Sequence, residues 1–156
     1  MTEQDLGTRI IALTATLYRI SCGLLYREAD REDAVQAAIE KAWRKAERLR
    51  DPAKLKPWLI RVLINECHTI GRKRMREIPV DELPPVQTPD QSHIDALREG
   101  VMALPEMERM PILLHYMEGF SIEEIAGALH CPKGTVLSRM DRGRKHLRVF
   151  LTEDES

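Results

Sequence analysis

Apolar residues recur at helical spacing through most of the first 76 positions. Steps of three and four residues define one buried helix face formed by Leu6, Ile10, Leu13, Leu17, Ile20 and Leu24. Similar patterns predict helices over about residues 30–49 and 54–76. Asp30, with Asp33 three residues later, is expected to cap the middle helix. The pattern therefore predicts an N-terminal unit of three helices.

A segment without any helical or strand period separates this unit from the rest of the chain. Residues 77–92 contain four of the nine prolines and are interpreted as a linker. Beyond it, helices are predicted over 93–103 and 105–119. The chain is thus expected to be all-α, with two small helical domains, 1–76 and 93–151, joined by a proline-rich acidic linker.

The last two predicted helices have the helix-turn-helix arrangement. Ser121, with Glu124 at capping-box spacing, begins a short helix, and after a three-residue turn Pro132 begins a longer one. Residues 133–148 carry six basic side chains against Asp141 alone. A basic second helix is typical of one that lies in the major groove of DNA, although the same pattern also fits a helical hairpin without a DNA role.

The net charge of −1 conceals an uneven distribution. Residues 1–76 carry 16 basic and 10 acidic side chains, whereas residues 77–99 carry one basic and six acidic ones. The basic residues concentrate at 72–76 and 133–148. Two basic clusters on either side of an acidic segment suggest two contacts with one polyanion, the alternative being solvated helix faces.

Composition excludes several other classes of protein. No apolar run approaches 18 residues and the N-terminus has no basic–apolar leader, so neither membrane insertion nor secretion is expected. Three separated cysteines suggest a reducing cytoplasm. Cys67-His68 and His130-Cys131 lack a second pair at ligand spacing and are interpreted as structural. No arrangement typical of catalysis or of cofactor binding stands out, so no enzyme activity, metal or cofactor is predicted.

At this point the motifs resemble a known family. The C-terminal motifs are similar to those of extracytoplasmic-function (ECF) sigma factors, the two-domain class of the sigma-70 family. These motifs are Leu104-Pro105, Gly119–Ala126, Gly134–Met140 and Arg142–Arg144. The N-terminal half resembles the same family's polymerase-binding and −10-reading helices through Asp33–Gln36, Ala42-Trp43, Pro57–Val62, Asn65 and Arg72–Arg74. The resemblance covers about residues 10–151.

The resemblance implies a partner for each half of the chain. Core RNA polymerase, through its β′ clamp helices, would contact Asp33, Gln36 and Glu40. The −10 element of promoter DNA would contact Trp58, Arg61, Asn65, Thr69, Arg72, Lys73, Arg74 and Arg76. The −35 element would contact Lys133, Thr135, Leu137, Ser138, Arg139, Asp141 and Arg142. The family also implies contact with the polymerase β flap, an anti-sigma partner, and a role in stress or envelope responses.

Some positions depart from the family pattern. Thr69 stands where Asp or Asn is usual, and Leu137 replaces an often basic residue. Asp141 would repel phosphate, yet it could accept a hydrogen bond from a cytosine amino group. His130 occupies the turn position that usually holds glycine and is expected to adopt a left-handed conformation. The −35 sequence therefore cannot be copied from a relative.

Two alternatives to the sigma-factor interpretation are kept open. A free-standing helix-turn-helix regulator would not need the polymerase-binding motif at Asp33 and Gln36. A sigma mimic that binds only an anti-sigma protein would not need Arg139 and Arg142, and both are present.

Overall fold

In a computed structural model, the described residues are 2–45, 48–49, 51–77 and 92–154, and within these ranges every regular element is helical. Seven α-helices follow one another in chain order: α1 (Glu3–Cys22), α2 (Glu28–Lys45), α3 (Leu55–Glu77), α4 (Ser92–Ala103), α5 (Glu106–Ile112), α6 (Ile122–Leu129) and α7 (Lys133–Asp154). The predicted all-α class is confirmed. The expected linker falls largely on residues 78–91, which lie outside the described residues.

Helix α1 buries most of the stripe that its sequence predicts, whereas Leu13 is partly buried and Leu24 lies beyond the end of the helix at Cys22. Leu6, Ile10, Leu17 and Ile20 are all at most 3% exposed. A capping box that the sequence reading missed fixes the start of the helix, where the Asp5 backbone N–H donates to Thr2 Oγ1 at 3.1 Å. Its buried stripe lies against α2 and α3.

The predicted start of α2 is wrong. The helix begins at Glu28, so Asp30 lies inside the first turn instead of capping it. Its carboxylate is buried and accepts two hydrogen bonds of 2.9 Å from Arg74, one from Nε and one from Nη2. Helix α2 is described as far as Lys45, and residues 46–47, which precede the expected end at Leu49, lie outside the described residues. This ion pair between the buried Asp30 carboxylate and the Arg74 guanidinium links α2 to the end of α3.

Helix α3 begins after a short 3₁₀ turn over Pro52–Lys54. The Asp51 side chain accepts a hydrogen bond from the Ala53 backbone N–H at 3.0 Å and so orders this turn. Further along α3, Leu59, Leu63 and Cys67 point into the core. This leaves the opposite face of a 23-residue helix for contacts outside the N-terminal core.

The second half departs from its predicted outline at one place. The helix expected over 105–119 divides into α5 and a π-helical turn over Leu113–Met117. Pro111 lies inside α5 and has no N–H to donate, which weakens regular α-helical pairing there. Gly119, at φ 71°, then reverses the chain before α6.

The helix-turn-helix forms as predicted. Glu124 N–H donates to Ser121 Oγ at 3.1 Å, and Ser121 N–H donates to the Glu124 carboxylate at 3.0 Å, which completes the expected capping box. His130 adopts the left-handed conformation at φ 57° and ends α6. Cys131 and Pro132 separate His130 from the start of α7 at Lys133.

The two halves pack directly against one another. Helix α3 lies along α6, and buried residues of both halves belong to one continuous apolar cluster. Pro57 meets the α6 backbone at Gly127, where an added Cβ would lie 3.3 Å from the proline Cβ. The described chain therefore has two helical parts held in a closed arrangement.

Candidate functional site

An open groove lies between α1 and α2 on the outside of the N-terminal half. It has a volume of about 960 Å³, and apolar side chains predominate among those that line it, including Ile11, Ala15, Val35, Ile39 and Trp43. Ile11 is 74% exposed and Trp43 44% exposed. The sequence pattern did not predict this groove. A groove between two helices with exposed apolar side chains such as Ile11 and Trp43 is suited to accept a helix from a partner.

Two of the three residues predicted to bind polymerase, Gln36 and Glu40, line this groove. Asp33, Gln36 and Glu40 are all exposed on α2, with spacings of three and four residues that put them on one face. Gln36 Nε2 donates to Glu40 Oε1 at 3.5 Å, and both residues line the groove. The residues predicted to make polar contacts with polymerase therefore lie beside an apolar surface.

The residues predicted to read the −10 element form a stripe along α3. Asn65, Thr69, Arg72 and Arg76 follow at steps of four, three and four, and all are exposed. Lys73, beside Arg72, is exposed as well. Thr69 Oγ1 donates to the Asn65 backbone carbonyl at 3.0 Å, which holds its side chain against the helix. One helix face therefore presents an amide, a hydroxyl and several cations in a row.

Three members of the predicted −10 set have partners inside the molecule. Trp58 is half-buried against the core. The Arg61 guanidinium Nη1 lies 3.2 Å from Nδ1 of His130, in the turn of the helix-turn-helix. Arg74 holds the buried Asp30 carboxylate, as described above. The DNA contacts assigned to these three residues stay predictions.

Helix α7 is oriented by its buried side. Val136 and Met140 are at most 1% exposed, and Gly143 is also buried. A Cβ at Gly143 would lie 2.4 Å from Ile112 Cδ1 and 3.3 Å from Glu108 Cβ, so α7 approaches α5 closely at this point. The opposite side of the first turns of α7 is consequently exposed and carries Leu137, Ser138, Asp141 and Arg142.

Other predicted −35 residues already have polar neighbours. Lys133 pairs with Glu123, and this hydrogen bond lowers the pKa of the Glu123 carboxyl group. Asp141 pairs with Lys145 at 3.1 Å, and Arg139 Nη1 donates to Cys131 Sγ at 3.8 Å. Thr135 is half-buried. Exposed ion pairs contribute little to stability, so a DNA phosphate could replace the acidic partner of Lys133 at small cost.

The two residues of the Cys67-His68 pair lie in different local environments. Burial raises the pKa of the Cys67 thiol to about 12, which disfavours the thiolate required for metal binding. The adjacent His68 makes a 2.7 Å hydrogen bond with Glu106 of α5. Among the described residues there is no group of three or more histidine, cysteine or acidic side chains that could hold a metal ion.

Polar contacts reinforce the closed arrangement of the two halves. Lys56 Nζ lies 3.1 Å from the Glu124 carboxylate and 4.1 Å from the centre of the Phe120 ring. The pKa of Glu124 is lowered, chiefly by the backbone hydrogen bond from Ser121 and further by Lys56. On the far side, Arg19 of α1 pairs with Glu118. These contacts join α1 to the end of the π-helical turn and α3 to the start of α6.

Within the described residues, no helix combines the length and the apolar character needed to cross a membrane.

Two family models match this chain, one in each half. The model described as "Sigma-70 region 2" matches residues 11–77, and "Sigma-70, region 4" matches residues 94–147. Among curated proteins, the RNA polymerase sigma-E factor of Streptomyces antibioticus is 31% identical over 140 residues, which cover 86% of this chain and 78% of that protein. The ECF RNA polymerase sigma factor SigE of Mycolicibacterium smegmatis is 30% identical over 90% of this chain, and the match spans 59% of that relative.

A solved structure has a similar arrangement of helices. The sigma factor RpoE of Bartonella quintana, in complex with the anti-sigma factor NepR, superposes with a TM-score of 0.79 and 27% sequence identity. The match covers 96% of this chain and 98% of that one, so it includes both halves.

Proposed function

The chain belongs to the ECF group of the sigma-70 family, and from this premise we propose that it binds core RNA polymerase and directs promoter recognition. The single observation that supports this function is that one molecule has two distinct binding surfaces. An exposed groove with a polar edge lies on α1 and α2, and a helix-turn-helix lies in the other half. A DNA-binding regulator alone would need only the second surface. The protein acts in the cytoplasm and contributes binding energy, without catalysis of its own.

Core polymerase would occupy the α1–α2 groove. Its β′ clamp helices would lie across α2, with their apolar side chains on Trp43 and Ile39 and their polar ones on Asp33, Gln36 and Glu40. Apolar burial supplies affinity, while the polar edge fixes orientation. The β flap would contact the other half, which brings the two parts to the spacing of the two promoter elements.

The −10 element would lie along α3. Cations at Arg72, Lys73 and Arg76 would hold the backbone of the separated strand, while Asn65 and Thr69 offer polar groups to an unstacked base. Capturing a base outside the helix offsets the cost of unpairing it, so strand opening needs no nucleotide hydrolysis.

The closed arrangement would limit this surface in the free protein. Arg61 faces His130 and the start of α3 is covered by α6, so Arg61, one of the residues predicted to contact the −10 element, is already engaged by the second half. The groove and the exposed residues of α2 remain accessible in the same arrangement. We infer that polymerase binds first and that separation of the halves then completes the −10 surface. An anti-sigma protein, such as the NepR partner of the Bartonella relative, would oppose this separation.

Transcription with purified components tests the proposal. The full chain is combined with bacterial core polymerase and a library of templates randomised over both promoter elements, and the RNA start sites are sequenced. A sigma factor yields discrete starts downstream of two enriched motifs. A free-standing regulator would bind DNA without polymerase and give no such starts, and a mimic would give neither result.

A further inference from the structure

The exposed face of α7 has an unusual chemistry for a DNA-reading helix. Its central residues are Leu137, Ser138 and Asp141, of which one is apolar and one is acidic. Leu137 is 52% exposed, whereas Leu147 and Leu151 further along the helix are half-buried. If α7 lies in the major groove, as the proposed function requires, this face meets DNA.

The order of side chains around α7 separates base contacts from phosphate contacts. At about 100° per residue, Leu137, Asp141 and Ser138 fall within an arc of roughly 100°, opposite the buried side at Val136 and Met140. Lys133 and Arg144 lie at one edge of this arc and Arg142 at the other, while Arg139 lies nearer the buried side. Lys145 and Arg148 share the angular range of the arc but lie further along the helix. DNA phosphates line both rims of the groove, so cationic edges match the rims and the central arc faces the base edges.

The charge of Asp141 supports the same orientation. A carboxylate pressed against phosphate would be repelled, whereas base edges offer amino groups that it can accept hydrogen bonds from. Lys145 lies 3.1 Å from this carboxylate and offsets part of its charge. Leu137 precedes Asp141 by four residues and therefore shares its side of the helix.

We propose that Leu137 recognises the 5-methyl group of a thymine in the −35 element. Leucine has no hydrogen-bonding group, and thymine methyl is the apolar feature that unmodified DNA displays in the major groove. The neighbouring Asp141 would accept a hydrogen bond from the amino group of a cytosine or adenine beside that thymine. The chain would thus read a thymine next to an amino-bearing base.

The test uses deoxyuridine, which lacks only the methyl group of thymine. Each thymine of the enriched −35 motif is replaced in turn on the template, and initiation by the full chain with core polymerase is measured. At one position the wild-type protein should lose about fourfold, the change expected for one buried methyl group. At that position Leu137→Ala should give equal activity with thymine and deoxyuridine, whereas Leu137→Met should retain the discrimination.

Val149→Ala is the matched control. Val149 is 55% exposed on the same helix but lies three turns beyond Leu137, so this variant should discriminate as the wild type does. Equal wild-type activity with thymine and deoxyuridine at every position would overturn the assignment, as would unchanged discrimination by Leu137→Ala or a −35 motif without thymine. The inference rests on the proposed function: absence of any enriched promoter would overturn both, whereas enriched promoters without methyl discrimination would overturn this one alone.

Discussion

Gly143 offers a sharp test of how α7 is held. Replacing it with alanine adds a Cβ that would lie 2.4 Å from Ile112 Cδ1 and 3.3 Å from Glu108 Cβ. Ile112 is 5% exposed and Glu108 is 8% exposed, so neither side chain has free space to move into. Overpacking of this kind costs about 1–3 kcal/mol. Against it, alanine in a helix interior is favoured over glycine by about 1 kcal/mol.

Gly71→Ala provides the matched comparison. Gly71 also lies inside a long helix, but its added Cβ would be 4.0 Å from Leu25 Cδ2, an ordinary contact. Both substitutions gain the same helix propensity, so the difference in unfolding free energy between the two variants isolates the steric cost. We expect Gly71→Ala to be more stable than wild type by about 1 kcal/mol. Gly143→Ala should be less stable than Gly71→Ala by about 1–3 kcal/mol.

Urea denaturation of the full chain, followed by circular dichroism, measures both values. For a protein of this length, each kcal/mol also moves the thermal midpoint by about 2–4 °C, which gives an independent check. Equal stabilisation by the two substitutions would refute the close approach of α7 to α5. In that case the orientation assigned to Leu137 and Asp141 would lose its structural basis.

Three further predictions concern binding. The double change of Asp33 and Gln36 to alanine should abolish co-purification with core polymerase; retention of the complex would refute the α2 contact. Arg142→Ala should lower transcription from −35-dependent promoters about tenfold and by a similar factor on all −35 sequences, because Arg142 lies at the edge of α7 that faces phosphate, whereas a loss that depends on the −35 sequence would assign Arg142 to a base. Changing the acidic linker residues Asp81, Glu82 and Asp90 to Asn or Gln should raise the DNA affinity of the polymerase-free protein, most at low salt. Superimposable salt titrations of DNA binding by the wild type and this triple variant would contradict the prediction.

The sequence predicted those elements whose signal is local. The stripe of α1 follows from helical spacing, and the capping box at Ser121 and Glu124 from three-residue spacing. The left-handed His130 follows from its turn position. In each case the residues that determine the structure are near neighbours in the chain, so periodicity and turn chemistry suffice.

The features that the sequence pattern mispredicted or missed all depend on contacts between residues that are far apart in the chain. Asp30 fits a cap by local rules, yet its partner Arg74 lies 44 residues away and holds it inside the helix. The α1–α2 groove exists only after two helices have packed, and no single segment displays it. The closed contact of Pro57 with Gly127 joins parts of the chain that the sequence pattern treats as separate domains. Local patterns cannot report such pairs.

The partner that each cation has within the molecule also determines how readily that cation can bind DNA. Glu123, the partner of Lys133, has a side chain that is 74% exposed, so the pair contributes little and phosphate can take its place. Asp30, the partner of Arg74, has a side chain that is only 7% exposed. Drawing Arg74 toward DNA would leave that carboxylate buried without its two hydrogen bonds, a strongly unfavourable change. Of the predicted −10 cations, Arg74 is therefore the one most committed to the fold, and Arg72, Lys73 and Arg76 are better placed to bind the strand.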